Sequence, residues 1–204
     1  MPRKVRKPQV SESAVERMVT MCRNADTTVQ TSALLWYRLH GAAVIREGAQ
    51  YGLDASQSCA IFAALSPQTR IQINWRNYRK VLADGNAKTI RYATGDMRKK
   101  INGFLRGSFT LEQTISGNKV TSFYHNLMGD ESYVTIDTHM ENCIMNKRQS
   151  CKTISDGRYA DYSATVRVAA SILGITPAAC QALVWVCWRD MHGIKDDGGY
   201  ALIA

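Results

Sequence analysis

One lysine and one aspartate have the chemistry and the setting to cut a bond at a sugar carbon. Lys119 opens a helical pattern directly after the Gly117-Asn118 turn, and Asp137 follows 18 residues later (137 − 119) in an apolar segment. An amine can attack as a nucleophile, and a carboxylate can stabilise positive charge or carry a proton. The simpler interpretations are a solvated lysine at a helix start and an aspartate that only caps a helix.

The turn before Lys119 has the properties of an anion site. The first N–H groups of a helix have no intrahelical partner, so a phosphate can bind there. Asn118 tolerates the left-handed backbone that such a turn can require. We therefore predict that the hairpin at residues 115–119 contacts phosphates through Gly117 and Asn118.

The charge balance points to a polyanionic partner. Lys and Arg number 26 against 17 Asp and Glu, which gives a net charge of +9, and such an excess favours nucleic acid. A basic arm at residues 1–10 and the cluster Arg98, Lys99 and Lys100 contribute to this excess. The basic start has no apolar core of a secretory signal, and no apolar run reaches membrane-spanning length. The sequence thus predicts an intracellular monomer with no membrane partner.

The six cysteines are scattered through apolar patterns, which is typical of free buried thiols in a reducing compartment. Cys180 and Cys187 have no second close pair to complete a four-ligand metal site. We predict neither a metal nor a cofactor.

Helical periodicity and capping residues run through the sequence. Asp54 is a good N-cap for a nearly all-apolar helix over 55–65. A capping box at Ser13–Glu16 and an apolar stripe over 31–50 predict two earlier helices. Only residues 133–136 have an extended pattern. The predicted fold class is all-α.

The predicted domains follow the loops. After the flexible arm at 1–10, one helical lobe is expected from residues 11–53 together with 150–204. A central lobe over 54–149 is expected to hold the hairpin and the aspartate segment, because the polar residues 150–158 form the best candidate for a loop between lobes.

Two separated stretches resemble a known superfamily. Residues 61–69 read Ile-Phe-Ala-Ala-Leu-Ser-Pro-Gln-Thr, and the second stretch runs from Ile115 to Met140. Both resemble segments of the helix-hairpin-helix DNA base-excision glycosylases, the superfamily of endonuclease III-like enzymes. The first is similar to that superfamily's apolar helix, which ends in a Leu-Ser-x-Gln segment. The second is similar to its hairpin, its lysine and its Val-Asp-Thr-His segment. The resemblance covers about residues 59–146, under half of the chain.

This resemblance implies a two-lobed helical fold with the active-site cleft between the lobes, acting on double-stranded DNA. Lys119 would attack C1′, displace the base and form a Schiff base that permits β-elimination, while Asp137 would stabilise the sugar cation. Gln68 would fill the gap left by the extruded base, unless it is an ordinary turn residue. The residues expected to contact DNA are Ser66, Gln68, Thr69, Arg98, Lys99, Lys100, Gly117, Asn118 and His139.

The chain departs from the superfamily in two places. Gly117-Asn118 stands where Gly-x-Gly is usual, and no four-cysteine loop is present near Cys180 and Cys187, so an iron–sulfur cluster is not expected. Two alternatives stay open: a transferase on the same scaffold that substitutes an amine on a hypermodified thymine, and a DNA-binding module without activity.

Overall fold

A computed structural model describes residues 6–148 and 153–194, and it confirms the all-α prediction for this part of the chain, which contains no strand. Residues 133–136 form no strand either. The helices are α1 Glu12–Asn24, α2 Thr27–Leu34, α3 Trp36–Ala49, α4 Ala55–Ala64, α5 Ile71–Asp84, α6 Gly95–Leu105, α7 Leu111–Thr114, α8 Asn118–Leu127, α9 Thr138–Met145, α10 Asp156–Leu173 and α11 Pro177–Met191.

Local sequence signals account for several helix ends. Asp54 accepts a hydrogen bond from the N–H of Gln57 at 2.7 Å, and the Gln57 side chain accepts from the N–H of Asp54, which completes a capping box. Gly85 takes the left-handed conformation that ends α5, with φ of 63°. The Ser13–Glu16 box was wrong, because α1 begins one residue after Ser11 and its N-cap makes no side-chain hydrogen bond.

The predicted single helix over 31–50 is interrupted. Leu35 ends α2, its N–H donating to the carbonyls of Thr31 and Ala33, and α3 begins at Trp36. Neither glycine nor proline marks this break, so the apolar stripe alone could not locate it.

The chain divides into two compact units. The terminal unit comprises the described residues 6–36, 131–148 and 153–194, and the central unit comprises residues 37–130. These boundaries differ from the predicted ones at 53/54 and 149/150. Helix α9 lies in the terminal unit, because its buried Met140, Cys143 and Ile144 belong to the same apolar core as residues of α1 and α11.

The other boundary lies between residues 36 and 37 instead of at 53/54, because nearly all of α3 belongs to the central unit. Tyr78 of α5 donates a hydrogen bond to the carbonyl of Val44 at 2.9 Å, which ties α3 into the central unit. The core of that unit is α4, whose residues Ser58 to Ala64 are all buried, as expected for a nearly all-apolar helix.

Two residues of the predicted flexible arm, Arg6 and Gln9, contact helix α10. Arg6 forms an ion pair with Asp161 of α10 at 2.6 Å, and the N–H of Gln9 donates to the same carboxylate at 2.7 Å. These contacts hold the pKa of Asp161 below its ordinary value, with the Arg6 hydrogen bond as the larger cause. The rest of the arm, residues 1–5, lies outside the described residues.

Five cysteines are free and buried, as predicted, whereas Cys151 lies outside the described residues. None of the described helices is by itself long and apolar enough to cross a membrane. The pair α10 and α11 passes that test together, but it is bent by 97°.

Candidate functional site

Asp137 lies at the start of α9 in the terminal unit. Its Oδ1 accepts a hydrogen bond from the N–H of Met140 at 2.9 Å, so it caps the helix as its sequence position suggested. The preceding segment is held by Tyr159, whose hydroxyl donates to the carbonyl of Val134 at 2.8 Å and accepts from the N–H of Ile136 at 3.0 Å. The aspartate therefore projects from a buried, well-anchored segment.

The second oxygen of Asp137 has a partner that the sequence analysis did not single out. Oδ2 accepts a hydrogen bond from Nε1 of Trp185 at 2.9 Å. The guanidinium of Arg189 lies 4.2 Å from the Trp185 ring centroid, and the ring of His139, a predicted DNA-binding residue, lies 6.2 Å away, edge-on. Trp185 and Arg189 are four residues apart on α11, and from the sequence this spacing alone could have indicated that the two side chains stack.

Lys119 lies in the first turn of α8 in the central unit. Its Nζ donates a hydrogen bond to the carbonyl oxygen of Ser66 at 3.0 Å. The N-cap is Gly117, with φ of 103° and no side-chain cap, so the glycine takes the conformation that L residues avoid. Asn118 is already helical, so the positive φ of this turn belongs to Gly117.

The turn after α4 places Ser66, Gln68 and Thr69. Ser66 is buried, and its Oγ has no hydrogen-bond partner among the described residues. Gln68 is exposed and has a left-handed backbone, with φ of 57°. The Thr69 hydroxyl donates to the carbonyls of Leu65 and Pro67, so this side chain holds the turn together.

Tyr92 is a candidate that the sequence analysis missed. It is 72% exposed and left-handed, with φ of 58°, and with Gln68 and Arg70 it lines a cleft of about 370 Å³. Its loop is well held, because Asn77 donates to the carbonyl of Arg91 at 2.8 Å. In the sequence, the aromatic residue within a polar segment could have indicated this candidate.

The predicted basic cluster on α6 is not uniform. A terminal nitrogen of Arg98 donates to the carbonyl of Ile90 at 2.8 Å, which helps to hold the Tyr92 loop. Lys100 pairs with Asp96 at 3.1 Å, and its Nζ lies 3.5 Å from the carbonyl of Ser116 in the hairpin. Lys99 is exposed.

Both parts of the sequence contribute to the net positive charge: residues 1–36 and 131–195 contribute +4, and residues 37–130 with 196–204 contribute +5. Residues 37–130 contain 13 Lys and Arg against six Asp and Glu, a net charge of +7. The described residues of the terminal unit contain nine of each sign.

A family model described as a family of unknown function (DUF7178) matches residues 1–192. The chain belongs to the DUF7178 family. No curated protein and no solved structure matches it significantly.

The DUF7178 match includes the segments of both units that carry the candidate residues. Within residues 6–148 and 153–194, no three His, Cys, Asp or Glu side chains are arranged to hold a metal ion. Burial raises the pKa of Cys143 and of Cys187 to about 12, so these thiols are protonated at neutral pH.

Proposed function

We propose that this DUF7178 protein is a DNA glycosylase with lyase activity, in which Lys119 is the nucleophile and Asp137 stabilises the sugar cation. The amine nitrogen would bond to C1′ as the C1′–N bond to the base breaks, and the base would leave with that electron pair and take up a proton. The C1′–O4′ bond of the sugar ring would then break, with O4′ taking up a proton, to leave an iminium at C1′. Loss of a C2′ proton and cleavage of the C3′–O bond would then eliminate the 3′ phosphate.

The observation that carries this proposal is the hydrogen bond from Lys119 to Ser66. These residues belong to the two separated stretches that resemble helix-hairpin-helix glycosylases, and they are 53 residues apart in the chain. Their contact within one unit supports a common role for both stretches. The Ser66 carbonyl would also hold the amine in place, although the attack itself requires an unprotonated lysine.

The net positive charge of the chain supports a polyanionic substrate. The chain carries a net charge of +9, and such an excess attracts phosphates. The Gly117 turn and the start of α8 add backbone N–H groups suited to a phosphate.

Borohydride trapping tests the proposal. The protein would be incubated with duplexes that carry different damaged and modified bases, and covalent adducts would be separated by size. We expect an adduct and strand cleavage for the wild type and for Lys80→Ala, an exposed lysine on α5, but neither for Lys119→Ala. Trapping that persists in Lys119→Ala would refute the lysine assignment.

Product analysis in the same reactions separates the alternatives. A free base with a nicked strand supports the glycosylase-lyase, whereas an altered base in an intact strand supports a transferase on the same scaffold. DNA binding with no chemical change on any substrate supports a binding module.

A further inference from the structure

Both oxygens of the Asp137 carboxylate are held, and helix capping explains only one of them. The N–H of Met140 bonds to Oδ1 at 2.9 Å, which satisfies the first turn of α9. The indole N–H of Trp185 bonds to Oδ2 at 2.9 Å from a position 48 residues later in the chain.

The second bond changes what the carboxylate can do. The terminal torsion of an aspartate has a broad energy profile, so a single capping bond leaves the other oxygen free to swing. A second donor at Oδ2 restricts that rotation. A carboxylate has about four lone-pair positions, so one on each oxygen remains for a substrate.

Trp185 is itself restrained within the terminal unit. Arg189, which is 9% exposed, places its guanidinium 4.2 Å from the Trp185 ring centroid. Trp36 packs near the same ring, with centroids 6.2 Å apart. A cation over the ring face draws electron density from the indole, which makes its N–H a stronger donor.

We propose that Trp185 is a positioning residue that fixes the orientation of the Asp137 carboxylate, with Arg189 holding the indole. This inference rests on the proposed function for the chemistry of Asp137, but the contact can be tested without any activity. A purely structural alternative is that Asp137 only satisfies a partly buried indole N–H.

Trp185→Phe separates these roles because it retains an aromatic ring and removes the N–H. Trp188→Phe is the matched control, since Trp188 is a buried indole on the same helix. We expect Trp185→Phe to lower kcat about tenfold with KM and DNA affinity within about twofold, as for other residues that orient a reacting group. Trp188→Phe should leave kcat within about twofold of the wild-type value.

A double-mutant cycle sharpens the test. In an Asp137→Ala background, Trp185→Phe should cause no further loss of rate, because a positioning residue acts only through the group that it orients. The inference would be overturned if Trp185→Phe lowered the rate equally in the wild-type and Asp137→Ala backgrounds. It would also be overturned if Trp185→Phe left kcat unchanged while Asp137→Ala was inactive.

The indole N–H resonance of Trp185 gives a readout that is independent of turnover. It is assigned by its absence from Trp185→Phe, and we expect it to shift and to exchange faster with D₂O in Asp137→Ala. A resonance that Asp137→Ala leaves unchanged would overturn the inference whatever the activity. If the wild type acts on no DNA substrate, the proposed function fails together with the catalytic part of this inference, while a shifted resonance would still establish the contact.

Discussion

The side-chain amine of Lys119 donates a hydrogen bond to the carbonyl oxygen of Ser66 at 3.0 Å, within the central unit. A flexible lysine side chain is thereby held at the start of α8, next to the turn that exposes Gln68. The nucleophile that we propose is thus positioned by a backbone carbonyl of that turn.

DNA affinity should depend steeply on salt, and Lys99 of the central unit should contribute to that dependence. Removal of one lysine that binds a phosphate should reduce the slope of log binding constant against log salt by about 0.9. We expect such a reduction for Lys99→Ala, measured by fluorescence anisotropy with duplex DNA. Arg167→Ala, an exposed arginine of the terminal unit, is the control and should leave the slope unchanged. Wild-type binding that is insensitive to salt would contradict the prediction.

Asp137→Asn should destabilise the protein more than Asp54→Asn does. Both residues are N-caps, and asparagine caps helices nearly as well as aspartate. At position 137, however, the two carboxylate oxygens accept from the N–H of Met140 and from the indole N–H of Trp185. An asparagine amide has only one oxygen, so one of these donors would face its NH₂ group. The unsatisfied donor should cost about 1–3 kcal/mol in the free energy of unfolding, which urea titration measures. Equal losses of stability for the two variants would argue against the Trp185 bond.

We expect the backbone of Gln68 to be strained and its side chain to assist base extrusion from paired DNA. Gln68→Ala and Gln68→Gly both remove the side chain, so both should slow turnover most on intact base pairs and least on mismatches, where extrusion costs little. Only glycine relieves the left-handed φ of 57°, and it should be more stable than the alanine variant by about 1 kcal/mol. Equal reductions in turnover on every substrate would show that Gln68 only shapes its turn.

Tyr92 should stack on a base. Stacking on an aromatic ring contributes about 1–3 kcal/mol per base, so Tyr92→Ala should weaken binding to mismatched or single-stranded DNA about tenfold. Tyr51→Ala is the matched control, because Tyr51 is 54% exposed in the same unit. Similar affinities for the two variants in a binding titration would exclude a specific contact at Tyr92.

Stability should fall at alkaline pH because of the buried thiols. Burial raises the pKa of Cys59 from 9.0 to about 12, so the folded state keeps a proton that the unfolded state releases. The stabilisation is complete below pH 9 and is lost as the pH rises from 9 towards 12. Urea titrations at about pH 8 and about pH 10 should show this decline, and Cys59→Ala should show a smaller one. An identical decline in the variant would exclude the thiol as a contributor.

The amino-acid sequence determined the helical class and much of the local structure. Asp54, Pro177 and Gly85 act at helix ends as their types predict, since caps depend on atoms within one turn. The glycine turn before Lys119 and the cap at Asp137 are local in the same way.

Tertiary structure decided the relationships between distant residues. The apolar pattern of α9 does not specify which core it joins, and its packing with residues of α1 and α11 places it in the terminal unit. No periodicity could indicate that Trp185 donates to Asp137 or that Lys119 reaches Ser66. Both bonds depend on the positions of whole helices, because a hydrogen bond requires two atoms within about 3 Å and the sequence specifies only which atoms are available.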